Sequence, residues 1–457
     1  MERAEKLVVL LADEGVRWKE TVEVLAEALV NLVGDVFLSC ACISYFGGFT
    51  GVYREELTDI WSSAAVQKSI PCTQPFSLDK VMGDPMVTKH WTMNYLPSDR
   101  VSLENGILAT KAERWGLCVD PQKQANRWLK SMLKDKQLLT LNMSKPTLLR
   151  DITGAIRNGV PVLIEDLEEQ LNPGIDPILS RQEYIGEGGI KQIKLGDSIV
   201  DYDDHFKLFM TTKLPNPHYP PEVCIKVTII NFTVTTHGLE EQLLGDVVVK
   251  ERADVEAKRD EIVVQMDKDH RTLKKIENDI LKLLNESEIE AILDADTLIN
   301  VLDDSKVTSA EIHERLADAK VVEEEINETR NRYTPVAVRG QILYFVIADM
   351  AMINDMYQNS LQFVKVLFNK AIDESKQSED VEERISNLID TITKNIYSNI
   401  SRGLFEADKL IFTYLIATGI KRHDGVILPQ GWNLLLRGAQ PLTKDQEKDK
   451  PKNPLPN

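Results

Sequence analysis

Positive charge is in short supply in this sequence. Its 54 Lys and Arg against 72 Asp and Glu leave a net charge of −18. A surface for nucleic acid or anionic lipid needs clustered basic side chains, so no nucleic-acid partner and no membrane partner are expected. Cysteine is scarce as well. The five residues (Cys40, Cys42, Cys72, Cys118 and Cys224) are odd in number, with no second CxC and no His at ligand spacing. That excludes a zinc pattern and predicts reduced, buried thiols. Uninterrupted apolar runs of bilayer length are also missing, because the run Leu29 to Tyr45 is broken by Asn31, Gly34, Asp35 and Ser39. No membrane-spanning segment is expected anywhere in the chain. The opening MERAEKLVVLLADEG has no basic region followed by an apolar core and a cleavage site, so it predicts a helix and no signal peptide. HExxH and GxSxG are absent, and the seven histidines (His90, His205, His218, His237, His270, His313, His423) are isolated. Each predicts a surface or structural role, not catalysis.

What is present is organised. Hydrophobic residues make up 43% of the 457, enough to bury a core. Residues 4–33 carry Leu7, Leu10, Leu11, Val22, Leu25, Leu29, Leu32 and Val33 at helical spacing, and Gly47-Gly48 interrupts the continuation towards Tyr45. A short helix follows over Val52 to Ser62. The stretch 64–100, with prolines at 71, 75, 85 and 97, reads mostly as connector. From 103 to 250 the pattern becomes α/β. Apolar runs at Trp115 to Val119, Val160 to Ile164, Phe206 to Thr212 and Val227 to Val234 alternate with helices at Lys123 to Met132 and Pro146 to Asn158. This predicts a mainly parallel sheet covered on both faces. Gly186 to Tyr202 reads as a β-hairpin insertion.

Residues 250–333 change character. Val255, Ile262, Met266, Leu273, Ile276, Ile280 and Leu284 form a narrow seam in a charged background. After a break near Asp294 to Asp296, Leu298, Leu302, Ile312, Leu316, Val322 and Ile326 resume it. Two long helices in an antiparallel hairpin are predicted. Residues 336–418 are helical and far more apolar, so they should pack into a core. The tail TKDQEKDKPKNPLPN should be disordered.

A parallel α/β core invites a phosphate-cradling loop after its first strand. The segment in that place, Asp120-Pro121-Gln122-Lys123-Gln124-Ala125-Asn126-Arg127, contains no glycine. If Ala125, Asn126 and Arg127 stand at the Gly-Lys-Ser/Thr positions of a Walker A loop, the lysine and the magnesium-binding hydroxyl are both gone. The next apolar strand ends in Glu165-Asp166, an acidic pair in swapped order from a Walker B motif. Thr211 and Thr212 close a further strand at a sensor-like position. Bound ATP with magnesium is not expected here. The alternative is a module that still binds or slowly hydrolyses ATP through an unorthodox loop.

The stretch ENGILATKAERWGLCVDPQKQANRWLK (104–130) resembles the start of the fifth AAA+ module of dynein heavy chains, with Gly116 at a usual proline. The resemblance continues through PVLIEDLEEQLNPGIDPIL (161–179), IKLGDSIVDYDDHFKLFMTTKLPNPHYPPEV (193–223) and INFTVTTHGLEEQLLGDVVVKER (230–252). Residues 17–57 resemble the base of the stalk's returning helix, 333–368 the fifth module's small helical domain, and 402–416 with 431–441 the first helices of the sixth. About 430 of the 457 residues take part.

The resemblance implies an AAA+ P-loop-type α/β module carrying a long antiparallel helical hairpin (the buttress), a helical small domain and an N-terminal stalk base. The implied segments are 1–63 stalk base, 64–102 connector, 103–250 large α/β subdomain, 251–334 hairpin, 335–400 small subdomain, 401–441 start of the sixth module and 442–457 tail. The implied function is a structural segment of a microtubule motor, axonemal in type, that relays ring movement to the stalk and binds no cofactor itself. Implied partners are the neighbouring AAA+ modules, the stalk coiled coil, intermediate and light chains, and microtubules through parts this chain lacks. The cytoplasm, cytoskeleton and ciliary axoneme are the implied setting. Lys226 falls near the position of a trans-acting cation and is expected to face the fourth module's nucleotide.

Overall fold

A computed structural model describes residues 2–186, 189–196, 198–286 and 296–438. The expected tail over 442–457 and the expected break near Asp294 lie outside the described residues. The chain divides into two compact units, residues 1–331 and 332–457.

The first unit opens with α1 (Glu2–Tyr45), a 3-10 turn (Phe46–Gly48) and α2 (Gly51–Gln67). The proline-bearing stretch then carries α3 (Leu78–Met82) and α4 (Pro85–Met93) and leads into α5 (Arg100–Lys111). It is more ordered than a connector. Phe76, Leu78, Trp91 and Leu96 are buried, and Asp84 caps α4 by accepting from the Met86 N–H, with Pro85 at the first helical position. Proline there starts a helix instead of breaking one.

The α/β region follows as β1 (Trp115–Val119), α6 (Gln124–Met132), β2 (Leu139–Asn142), α7 (Leu148–Arg157), β3 (Val162–Glu165) and α8 (Asp176–Leu179). After these come β4 (Glu183–Ile185), β5 (Lys191–Leu195), β6 (Ser198–Asp201), β7 (Leu208–Thr212), α9 (Pro221–Cys224), β8 (Val227–Asn231) and α10 (Thr236–Glu251). Five strands form one sheet in the order β2-β3-β7-β1-β8, parallel throughout. The insertion is a small three-stranded antiparallel sheet, β4-β5-β6, instead of a two-stranded hairpin.

Period-two alternation distributes the strands between two cores. Leu117, Val162, Ile164, Leu208 and Met210 face one cluster with Ile152 and Ile156 of α7. Cys118, Leu163, Phe209 and Ile230 face the other, with Trp128 and Leu129 of α6, Ile107 and Leu108 of α5, and Leu38 and Cys42 of α1. Three cysteines, Cys42, Cys72 and Cys118, are buried as expected. Cys40 is exposed instead, because the neighbouring positions on α1 face opposite ways.

By length and composition alone, the helical stretches Trp18–Gly48 (α1 with the turn after it) and Thr334–Met352 would suffice to cross a membrane. The sequence predicted otherwise for both. The residues that interrupt the apolar run of α1 are small or turned inward. Asp35 accepts from the Thr73 N–H (2.8 Å) and hydroxyl (2.7 Å), and a side chain at Gly34 would meet the Pro71 carbonyl oxygen. One face of α1 is therefore seated on the module.

Two long helices, α11 (Ala253–Glu286) and α12 (Asp296–Asn331), follow α10 and pack against each other. Asp269 pairs with Arg315 (2.8 Å) and Glu256 with Arg330 (3.5 Å). Residue numbers rise along one helix as they fall along the other, so the two run antiparallel. Val255, Ile280, Ile312 and Ile326 are buried along this line, whereas Val322, expected in the seam, is exposed.

The second unit is helical: α13 (Thr334–Asp349), a 3-10 turn (Met350–Met352), α14 (Leu361–Glu374), α15 (Val381–Ser401), α16 (Glu406–His423) and α17 (Pro429–Arg437). Leu343, Ile347, Phe368, Leu388, Ile392, Ile396 and Phe412 are buried within it. Buried Arg384 donates to the carbonyls of Ser375 (3.2 Å) and Lys376 (2.7 Å), satisfying the chain just past α14.

Candidate functional site

The carboxyl ends of parallel strands are where α/β sheets bind ligands, and the segment 120–127 sits there, made of the turn after β1 and the first turn of α6. Lys123 adopts a left-handed backbone, φ +61°, which turns the chain sharply back into the helix. The first-turn N–H groups of α6 consequently converge on one side chain. Asp120 Oδ1 accepts from Gln124 N (2.7 Å) and Oδ2 accepts from Asn126 N (2.9 Å). Asp120 is 1% exposed. Burial pushes its carboxyl up to about 6, although the N–H donors of Asn126, Gln124 and Ala125 and the charge of Lys123 pull the other way.

The neighbouring polar groups are taken up as well. Glu165 at the end of β3 receives Lys130 Nζ (2.6 Å) and the Asn126 side-chain amide. Arg127 lies over the Tyr95 ring at 3.8 Å. Asp166 turns outward to pair with Lys213 (2.7 Å). Thr212 donates its hydroxyl to the Leu167 carbonyl (2.7 Å), and the Thr211 carbonyl accepts from Leu167 N. The expected residues Asp120, Asn126 and Glu165 are thus brought to one place, with Lys130 and Tyr95 added. Asp166 is not part of that cluster. Among the described residues no group of three or more His, Cys, Asp or Glu side chains is arranged to hold a metal ion.

A cavity of about 180 Å³ lies elsewhere, against the start of β1 and β7, lined among others by Arg114, Trp115, Tyr202 and Phe206. Two of its charged residues, Lys191 and Asp204, pair with each other (2.6 Å). Lys226 also lies away from the loop, at the start of edge strand β8, and pairs with Asp176 (2.9 Å) while about a quarter exposed.

Hydrophobic periodicity does not mark a second cluster. Arg54 of α2 is 1% exposed, as is Glu104 of α5. Arg54 Nη1 donates to Glu104 Oε2 (3.2 Å), Nη2 to Asn105 Oδ1 (2.7 Å), and Nε to the carbonyls of Phe46 and Phe49. Asn105 passes the connection on by donating to the Asn231 carbonyl of β8 (2.8 Å). Burial pushes the Glu104 carboxyl upward, opposed by the guanidiniums of Arg54 and Arg100. At the same joint Gly47 lies so close to β8 that a Cβ there would stand 2.0 Å from the Ile229 carbonyl oxygen. The available signal was the stripe Arg54, Thr58, Ser62, Ala65 at helical spacing, which is the buried face of α2.

Comparison with known proteins places this geometry. Residues 89–312 match the family model of the ATP-binding dynein motor region, and residues 1–64 match that of the microtubule-binding stalk of the dynein motor. The chain is 44% identical over 444 residues to dynein axonemal heavy chain 6 of Homo sapiens, covering 97% of this chain and 11% of that protein. It is 41% identical over 437 residues to dynein axonemal heavy chain 1 of Homo sapiens, covering 96% and 10%. Against dynein axonemal heavy chain 3 of Homo sapiens it is 40% identical over 455 residues, covering 100% and 11%. The chain spans about a tenth of the length of these relatives.

Proposed function

Since the chain belongs to the dynein heavy-chain family, we propose that its α/β module is a non-hydrolysing, mechanical part of a microtubule motor. The observation that carries this reading is that α1 is met both by the sheet's joint at its end and by the helical pair. The end of α1 is fixed to β8 through Gly47 and the Arg54–Glu104–Asn105 cluster. Along its length α1 is also met by α12 of the helical pair. A module that holds a stalk helix at its base and also braces it through a helical pair can convert a change in ring geometry into a displacement along that helix. In this reading α11 and α12 are the buttress and 103–250 is the fifth AAA+ module. Residues 335–400 are its small subdomain, and 401–441 begin the sixth.

The exposed side of α1 supports a stalk partner. Val22, Leu25, Leu29, Val33 and Val36 recur at three- and four-residue spacing and are all exposed, the pattern of a coiled-coil seam. The parent motor's microtubule, its neighbouring AAA+ modules and its axonemal, cytoskeletal setting come to this chain through its relatives. Lys226, at the outer edge of the sheet, is the cation offered to the fourth module's nucleotide. Its pairing with Asp176 is then the resting arrangement.

Equilibrium binding of a fluorescent ATP analogue tests the non-hydrolysing role. No saturable, magnesium-dependent binding in the micromolar range is expected. Such binding, lost on Asn126→Ala or Glu165→Gln, would establish the alternative of a working nucleotide site. The bracing role is tested by amide exchange in α1 after deletion of 255–330. Faster exchange is expected, and unchanged exchange would remove the brace.

A further inference from the structure

Resting on the non-hydrolysing reading of this module, we infer that the Asp120 carboxylate is a built-in anion that fills the phosphate cradle at the start of α6. A helix N-terminus of this kind binds anions because its first N–H groups have no partner within the helix and its dipole favours negative charge. Here those groups are occupied from within the chain. Gln124 N and Asn126 N point at the two oxygens of one carboxylate, at 2.7 and 2.9 Å. The left-handed Lys123 is the bend that brings them there. The arrangement is closed, not surface-lying, because Asp120 is 1% exposed.

A second observation points the same way. The side chains that a nucleotide with its magnesium would address are already engaged: Glu165 with Lys130 and Asn126, and Arg127 with the Tyr95 ring. A phosphate entering this loop would have to expel a tethered group of its own sign from donors already satisfied. Asp120 thus does more than leave the site without catalytic chemistry. It takes the ligand's place at the donors, and it caps the start of α6 from within the chain.

Chemical rescue in the full 457-residue chain tests this. Asp120→Gly removes the methylene and the carboxylate and leaves a space large enough to admit formate beneath the same N–H donors. At neutral pH the variant should unfold at a lower temperature than wild type. Sodium formate at about 100 mM, compared with chloride at equal ionic strength, should restore half or more of that loss while leaving wild type unmoved. Equal melting of the variant in formate and chloride overturns the inference. Should Asp120→Gly not fold, Asp120→Asn keeps the shape and can accept only through its single oxygen. One of the Gln124 and Asn126 amides should then exchange at least about tenfold faster than in wild type; unchanged protection of both overturns the inference. Magnesium-dependent ATP hydrolysis by wild type overturns the non-hydrolysing reading whatever formate does, and saturable nucleotide binding at this loop overturns the built-in anion. Formate-insensitive melting without nucleotide binding overturns the built-in anion alone.

Discussion

Asp120 holds its proton more tightly in the folded chain than an exposed aspartate does, with its carboxyl moved from 3.8 up to about 6 by burial. A carboxyl raised on folding contributes most at low pH, and that contribution is lost as pH rises through the folded value. The interval between 3.8 and 6 corresponds to at most about 3 kcal/mol. Exposed carboxylates held low by their partners, such as Asp151 and Asp203, act in the opposite direction in both wild type and variant, so they cancel in a comparison. Asp120→Asn should therefore gain stability relative to wild type between about pH 4 and pH 7. Urea midpoints at both ends of that range check this, and a constant difference contradicts it. The other decisive residue pair is Arg54 and Glu104. Arg54→Met leaves Glu104 buried with half its cationic contacts and should cost roughly 3–5 kcal/mol. Adding Glu104→Gln should recover a measurable part of that loss in denaturant unfolding. Strict additivity of the two changes would show that the pair is not coupled.

At the level of elements, the joint between α1 and β8 depends on a close backbone approach. Gly47→Val places branched carbon against the Ile229 carbonyl oxygen and should destabilise by about 1–3 kcal/mol or more. It should also raise amide exchange at the end of α1; a variant matching wild type in both would mean the joint yields freely. Sequence reading located β1 at Trp115–Val119 and came within a few residues of β3, β7 and β8, because buried parallel strands are short, continuous apolar runs. It missed β2, whose LTLN is only partly covered at the sheet's edge. It also missed the inward face of α2, since that face is Arg54, Thr58 and Ser62 and hydrophobic periodicity has nothing to register. The loop 120–127 was legible as glycine-free. Its filling by Asp120 was not, because the capping contacts depend on a left-handed Lys123 that no local pattern announces. Similarly, the ENGI stretch could be matched as a motif, but Glu104 and Asn105 acquire meaning only once Arg54 arrives from 50 residues away.

For the molecule as a whole, net charge and local surface work against each other. A charge of −18 keeps copies apart at long range, but screening limits that to about 10 Å at moderate salt. At contact, the stripe Val22, Leu25, Leu29, Val33 on α1 offers apolar area with no cover. Such a stripe promotes association. The chain should self-associate with concentration in sedimentation velocity, increasingly so as salt rises. Leu25→Glu with Leu29→Glu should shift it towards monomer without altering its helical signal. Association unchanged by both substitutions would place the contact elsewhere.

The joint at Gly47 has one more consequence, which concerns the exposed rim of the sheet. Phe232 N donates inward to the Val119 carbonyl, so by alternation the carbonyls of Ile229 and Asn231 point away from β1, along the open side of β8. These are the groups that an unguarded border strand would offer to a strand from another molecule. Gly47 lies against the first, and Asn105 donates to the second. The end of α1 and the Asn105 amide therefore act as a selvedge on the sheet. A chain stripped of its first helix would present β8 as a template for intermolecular pairing.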